Sequence, residues 1–464
     1  MKVAHYLKIF GLALFLSSCG DSGKSLSSNS DTETTTDEET TTASYVLSGG
    51  EAFMCIKSDT GVVKCWGKND DGQLGNGTNQ HVGNNVGDMG DSLLPVDLGT
   101  GRTAKELGVG RFSSCAILDN NSLKCWGDNG YGQLGLGNTQ NRGDNANEMG
   151  DNLPAVSLGT GVVPAKVGVG ENFTCILTTD GRVKCWGAAD LGAVGTGVGG
   201  YIGTSPSHMG DNLQYINFGT GRTAKSISLG GSHACAILDN NKLKCWGFNF
   251  YGGLGLGDTT DRGAAPNQMG DNLPYVDLGT GRTVKSVAGG GESTCAILDD
   301  NSVKCWGDNS FGQLGLGGTN HRGDGANEMG DNLPTVNLGS GRYAVKIASN
   351  GANFCAVLDD QSLKCWGRST SGNLGIGNGS SKGGSLSDMG DALPFVDLGT
   401  DFKVVSVASH TYGFCAVNAS GRTKCWGGNY YGNLGLELPT STVKGDASGQ
   451  MGDNLPFLDL GSNF

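Results

Sequence analysis

The chain has 464 residues, 83 of them glycine, with 17% charged residues and a formal charge of −13 at pH 7. An acidic chain without a basic stripe argues against nucleic acid as a partner, because phosphate binding needs clustered lysine and arginine. Length alone suggests two or three domains, but a strict internal period makes most of the chain one repeat domain.

Residues 1–18 read as an export signal. Lys2, His5 and Lys8 flank an apolar run over residues 9–16, too short to span a bilayer as a mature helix. The run ends in Leu16, Ser17, Ser18 and Cys19, which resembles a bacterial lipoprotein lipobox. The resemblance implies cleavage before Cys19 and lipidation of that residue; an ordinary signal peptide with an incidental cysteine is the plainer alternative. Gly20 follows where an aspartate would signal inner-membrane retention, so the outer membrane or cell surface is the expected location. Residues 19–44 are nearly all Ser, Thr, Asp, Glu and Asn. They bury too little apolar surface to offset ordering entropy and read as a disordered tether.

From residue 45 to 464 the chain repeats. Its seven tryptophans, Trp66, Trp126, Trp186, Trp246, Trp306, Trp366 and Trp426, recur every 60 residues. Each follows a cysteine that has a second cysteine ten residues before it. A fixed period of this length marks units that cannot bury their own apolar surface and must stack on neighbours. The second unit shows the plan: strands at LLPVDLG (93–99), AKELGVG (104–110), SSCAIL (113–118) and SLKCWG (122–127), separated by tight turns. Four short antiparallel strands per unit, repeated radially, predict an all-β, seven-bladed β-propeller.

The third and fourth strands form a hairpin centred on Asn120, which sets Cys115 opposite Cys125 in a non-hydrogen-bonded pair. Such a pair lies within disulfide reach, and two thiols per unit are too few for a zinc site. The expected bridges are Cys55–Cys65, Cys115–Cys125, Cys175–Cys185, Cys235–Cys245, Cys295–Cys305, Cys355–Cys365 and Cys415–Cys425. They leave only Cys19 of fifteen cysteines unpaired, which lipidation would explain. The last hairpin-turn residue must be left-handed; Gly or Asn stands there in six units and Gln361 in the other. Unit one lacks its first strand and the chain ends on LPFLDLG (455–461). That segment is expected to close the ring by pairing into the first blade.

About 27 residues link each Trp-Gly to the next Leu-Pro, as in DNGYGQLGLGNTQNRGDNANEMGDNLP. These seven long loops are expected on one face together with the second-to-third strand turns. The motif WGDNGYGQLGLG following a Cys-Ala-Ile-Leu hairpin resembles the regulator of chromosome condensation repeat family over nearly all of residues 45–464. The resemblance implies a seven-bladed propeller but no single function. Its disulfide-rich, Met-Gly-Asp form is similar to a bacterial, lipoprotein-type subgroup.

No catalytic constellation is evident. The six histidines occupy different repeat positions, and Gly195 to Gly200 match a dinucleotide fingerprint by letters only, within a loop. Asp144, Glu148 and Asp151, repeated as Asp324, Glu328 and Asp331, are candidate hard-cation ligands; the competing reading makes Asp151 and its counterparts turn caps. Arg142 to Asp144 spell an adhesion tripeptide that reads better as loop scaffolding. Seven lysines, one before each Cys-Trp, form either an anion-binding ring or structural props whose ammonium groups reach loop carbonyls.

The resulting expectation is a non-enzymatic, lipid-anchored, monomeric binding protein of the bacterial envelope. It would have no cofactor, touch the membrane only through lipid, and bind a protein or glycan through the long-loop face. Leu191, Tyr201 and Ile202 in the divergent third unit are the candidate contact residues. An envelope lyase or hydrolase with a site on the loop face or in the central channel, and a passive structural protein, are the alternatives.

Overall fold

A computed structural model describes residues 45–462 and 464. The expected leader, Cys19 and tether lie outside the described residues. Among these residues the regular structure is strand, interrupted by single 3₁₀ turns such as Gly150–Asn152. Seven antiparallel sheets follow one another along the chain and fit a seven-bladed propeller.

The second sheet is representative: Ala104–Val109 pairs with Ser113–Leu118, which pairs with Leu123–Gly127. Cys115 lies opposite Cys125, with Cα atoms 4.0 Å apart and the sulfurs bonded. The other six expected pairs are joined the same way. The hairpin turn needs its last residue left-handed, and all seven comply, Asn121 at φ 66° and Gln361 also at φ 66°. Hairpin geometry therefore overrides the side-chain preference that made Gln361 look out of place.

The sheets differ from the expected four strands. LLPVDLG and its counterparts are not strands, and five sheets have three strands. The segment's polar groups are used elsewhere. The Val96 N–H bonds Val63 of the preceding sheet, the Asp97 carbonyl accepts from Gly150, and the Leu98 carbonyl accepts from Lys124. Pro95 supplies no donor. Where a fourth strand forms, it comes from the long loop: Tyr201–Ile202 beside Val183–Ala188, and Val443–Lys444 beside Thr423–Gly428.

The C-terminal segment corrects a further expectation. Its strand-like backbone bond runs from the Leu458 N–H to Thr423 in the last sheet, not into the first sheet. It reaches the first unit through Lys64, whose Nζ donates to the Leu460 carbonyl, and through Gly90, whose N–H donates to Asp459.

The core lies between sheets. Each apolar cluster joins one unit's disulfide to the next unit's tryptophan, as with Cys115, Cys125 and Trp186. Cys415, Cys425 and Trp66 form the same cluster between the last and first units. All seven tryptophans are fully buried. Each indole N–H donates to a long-loop carbonyl of the preceding unit, as in Trp126 to Gln73 at 3.1 Å and Trp66 to Asn433 at 3.2 Å.

Candidate functional site

The innermost strands end in turns at residues 49–51, 109–111 and their equivalents, which line a central cavity of about 390 Å³. The long loops start beside these turns: the Asp128 N–H bonds the Phe112 carbonyl. Loops and cavity mouth thus share one face, as expected.

The mouth is acidic and rimmed by aromatic rings. Arg111 bridges Glu51 and Glu171. Lys68 lies 3.6 Å from Glu51 and 3.5 Å from Asp70, with Nζ 5.8 Å from the Phe112 ring centre and 5.4 Å from that of Tyr431. Around them stand Tyr131 against Tyr201, Phe250 against Tyr251, and Tyr412 against Tyr430, with ring centres 5.0, 4.9 and 4.5 Å apart. Phe250 is 61% exposed. Burial first, then neighbouring carboxylates, push Asp71 and Glu292 above the ordinary carboxylate range.

Of the three candidate contact residues, Leu191 and Tyr201 are exposed. Ile202 is half-buried and packs into the core between units two, three and four, so it is held as structure. The other crown rings, among them Phe250, Tyr412 and Tyr430, were missed. Tyr131, Tyr251, Phe311 and Tyr431 occupy the fifth position after the tryptophan of their own unit, where Leu191 stands in unit three. Comparing the repeats position by position would have found them.

The cation candidates do not converge. Asp151 Oδ1 accepts from the Thr100 N–H, and the Thr100 hydroxyl donates to Oδ2, capping the Gly-Thr-Gly turn before it. Asp331 does the same for Thr280, and Asp91 Oδ1 accepts from both the N–H and the hydroxyl of Ser462 across the ends of the repeat. These bonds hold the aspartates below their ordinary pKa. Glu148 accepts from Gly143 and Asn145, and Glu328 from Gly323 and Gly325. Burial, then the adjacent glutamate, raises the pKa of Asp144 and of Asp324. Among the described residues no group of three His, Cys, Asp or Glu is placed to hold a metal ion. Asp144 has a buried Oδ1, and Arg142 bonds Gly127 in both directions, so this tripeptide is loop scaffold.

The seven lysines are structural props. Lys124 is buried and donates to Leu98 and Gly150 at 3.0 and 2.7 Å, tying two connecting segments to the sheet. Desolvation lowers its pKa. His233 and His410 are also buried, and desolvation lowers them to about 4 and about 3. His233 Nε2 lies 2.9 Å from the Thr294 hydroxyl.

The regulator of chromosome condensation (RCC1) repeat matches residues 105–133, 123–177, 165–192, 224–252 and 284–313. The ultraviolet-B receptor UVR8 of Arabidopsis thaliana is 25% identical over 381 residues, 72% of this chain and 78% of the receptor. The human E3 ubiquitin-protein ligase HERC2 is 28% identical over 286 residues, 60% of this chain but 5% of the ligase. Yeast RCC1 (Prp20), solved bound to Kap60, superposes with a TM-score of 0.57 at 18% identity over 85% of this chain and 84% of that one. Human WBSCR16 gives 0.56 at 20% identity over 79% and 84%. Repeat sequence and fold agree: the chain carries regulator of chromosome condensation repeats over residues 105–192, 224–252 and 284–313 and is similar to proteins built from that repeat.

Proposed function

We propose that this protein is a binding platform, not an enzyme, and that it engages another protein through its long-loop face. The aromatic crown around the acidic mouth carries this reading. Exposed tyrosine and phenylalanine on a rigid scaffold are the residues that anchor protein interfaces. Yeast RCC1, which shares this fold, is solved bound to another protein, Kap60. Aromatic rings also suit sugar faces, and a glycan partner is the other reading.

The finer reading is a closed, monomeric disc over residues 45–464, tethered by residues 19–44 to a lipid on Cys19 at the outer membrane or cell surface of a bacterium. Closure is supported by the Trp66 to Asn433 bond and the Asp91 to Ser462 cap, which repeat the contacts between consecutive units. The anchor rests on the sequence around Cys19. Cys19→Ser should move the protein from the membrane to the soluble fraction; retention after carbonate washing would reject the anchor.

The platform is tested by the double substitution Val198→Asn and Tyr201→Asn, which places there the residues of unit two, Asn138 and Asn141, and leaves Ile202 in the core. Capture of the natural partner from envelope extract should be lost while the melting temperature holds. Altering Asn240 and Asn241, on the opposite turns, should leave capture intact. The reverse pattern would place the site on the other face.

A further inference from the structure

The crown carries its own cations on one side and none on the other. On the first side Lys68 sits between the Phe112 and Tyr431 rings, against Glu51 and Asp70. Arg111 lies 4.9 Å from the Phe112 centre and Arg368 4.5 Å from that of Phe311. At Lys68 and Arg111 a π face and a carboxylate meet around one positive charge.

Between units four and five the rings and carboxylates remain but the cation is lost. Tyr251 stands where unit seven has Tyr431, and Asp308 stands where unit one has Lys68. Phe248 and Phe250 stack at 6.3 Å, Phe250 meets Tyr251 edge-on at 4.9 Å, and Tyr251 meets His321 at 4.9 Å. His321 Nδ1 is 3.3 Å from Asp308 Oδ1, and the Asp308 N–H bonds the Glu292 carbonyl. Among the described residues the half-buried Glu292 carboxylate has no ion pair or hydrogen bond, and no Lys or Arg lies over Phe248, Phe250 or Tyr251. The sequence-adjacent Arg322 faces Glu328 at 3.8 Å.

Resting on the platform reading, we propose that Phe248, Phe250 and Tyr251 with Glu292 and Asp308 form a cradle for an arginine or lysine side chain on an extended segment of a partner protein. Charge complementarity selects this occupant. The patch offers π faces and an unpaired carboxylate, and the other half of the crown shows the same groups closing on lysine and arginine. A cation seated there would relieve the repulsion that Asp308 and Glu171 impose on Glu292. An acidic or neutral segment would leave Glu292 desolvated and unpaired.

The test uses full-length protein and two fluorescein-labelled peptides, one Gly/Ser-rich with two arginines and one with glutamines in their place, read by fluorescence anisotropy. The arginine peptide should bind about tenfold tighter, about 1.4 kcal/mol. Glu292→Gln and Phe250→Ala should each remove most of that preference. Asp401→Asn, an equal charge change in a turn away from the crown, should leave it unchanged. Equal affinities, or no binding of either peptide, overturn the cradle, and so does an equal loss in the Asp401 variant, which would mean diffuse charge attraction. The platform reading fails separately: it stands if the natural partner crosslinks to Tyr131 or Tyr201 and falls if crosslinks are confined to the turns around Asn240.

Discussion

Replacing Trp66 with phenylalanine tests whether the first and last units meet as any consecutive pair does. Trp66 is fully buried, and its indole N–H bonds the Asn433 carbonyl at 3.2 Å across that seam. Trp246 is the matched control within the chain, fully buried and bonded to Ala193 at 2.9 Å. Trp→Phe strands a buried carbonyl, at about 1–3 kcal/mol. The lost pyrrole edge leaves a small void worth about 1–2 kcal/mol more. A loss of about 2–5 kcal/mol is therefore expected at either seam if the units form a ring. Urea unfolding at pH 7 provides the measurement, with the slope checked for constancy so that the midpoint reports stability. Closure predicts nearly equal losses. A Trp66→Phe loss under about a quarter of the Trp246→Phe loss would mean that the first–last seam carries little energy, and would refute the ring.

The buried histidines predict acid sensitivity. Their folded pKa values lie below the 6.5 of the unfolded chain, so the unfolded state gains protons first as pH falls. Stability should be full above pH 6.5 and decline towards pH 4 by up to about 1.4 kcal/mol per pH unit for each histidine. His233→Ser, which places there the residue of the equivalent Ser293, should remove about half of that slope; an unchanged slope would show that His233 does not control it. Peptide mapping of unreduced protein should find Cys115 joined to Cys125, and replacing both with alanine should cost up to about 3 kcal/mol. Free thiols in most pairs would reject the bridges.

Most of the site was hidden for a reason visible in its residues. Leu191 and Tyr201 stood out because unit three diverges from its neighbours, which is a contrast along the chain. Tyr131, Tyr251, Phe311 and Tyr431 lie in ordinary-looking loops 60 or more residues apart. They become one crown only because each unit repeats its position around a common axis. Ile202 illustrates the opposite error: an apolar residue in a variable loop looked available, but its strand folds back on Val183–Ala188 and buries half of it.

The sequence by itself determined the sevenfold period, the hairpin register and the cysteine pairing. These depend on contacts within about ten residues, where turn chemistry and side-chain alternation decide. It also indicated that the lysines and the Met-Gly-Asp aspartates are props and caps. The tertiary structure decided which carbonyls they hold, since Lys124 and Asp151 bond groups 26 and 51 residues away. It also turned LPxVDLG from a strand into a linker. Local pattern cannot show that result, because a backbone amide that pairs in a ladder and one that pairs with the neighbouring unit look the same in sequence. The competition between those partners is settled only when the units pack.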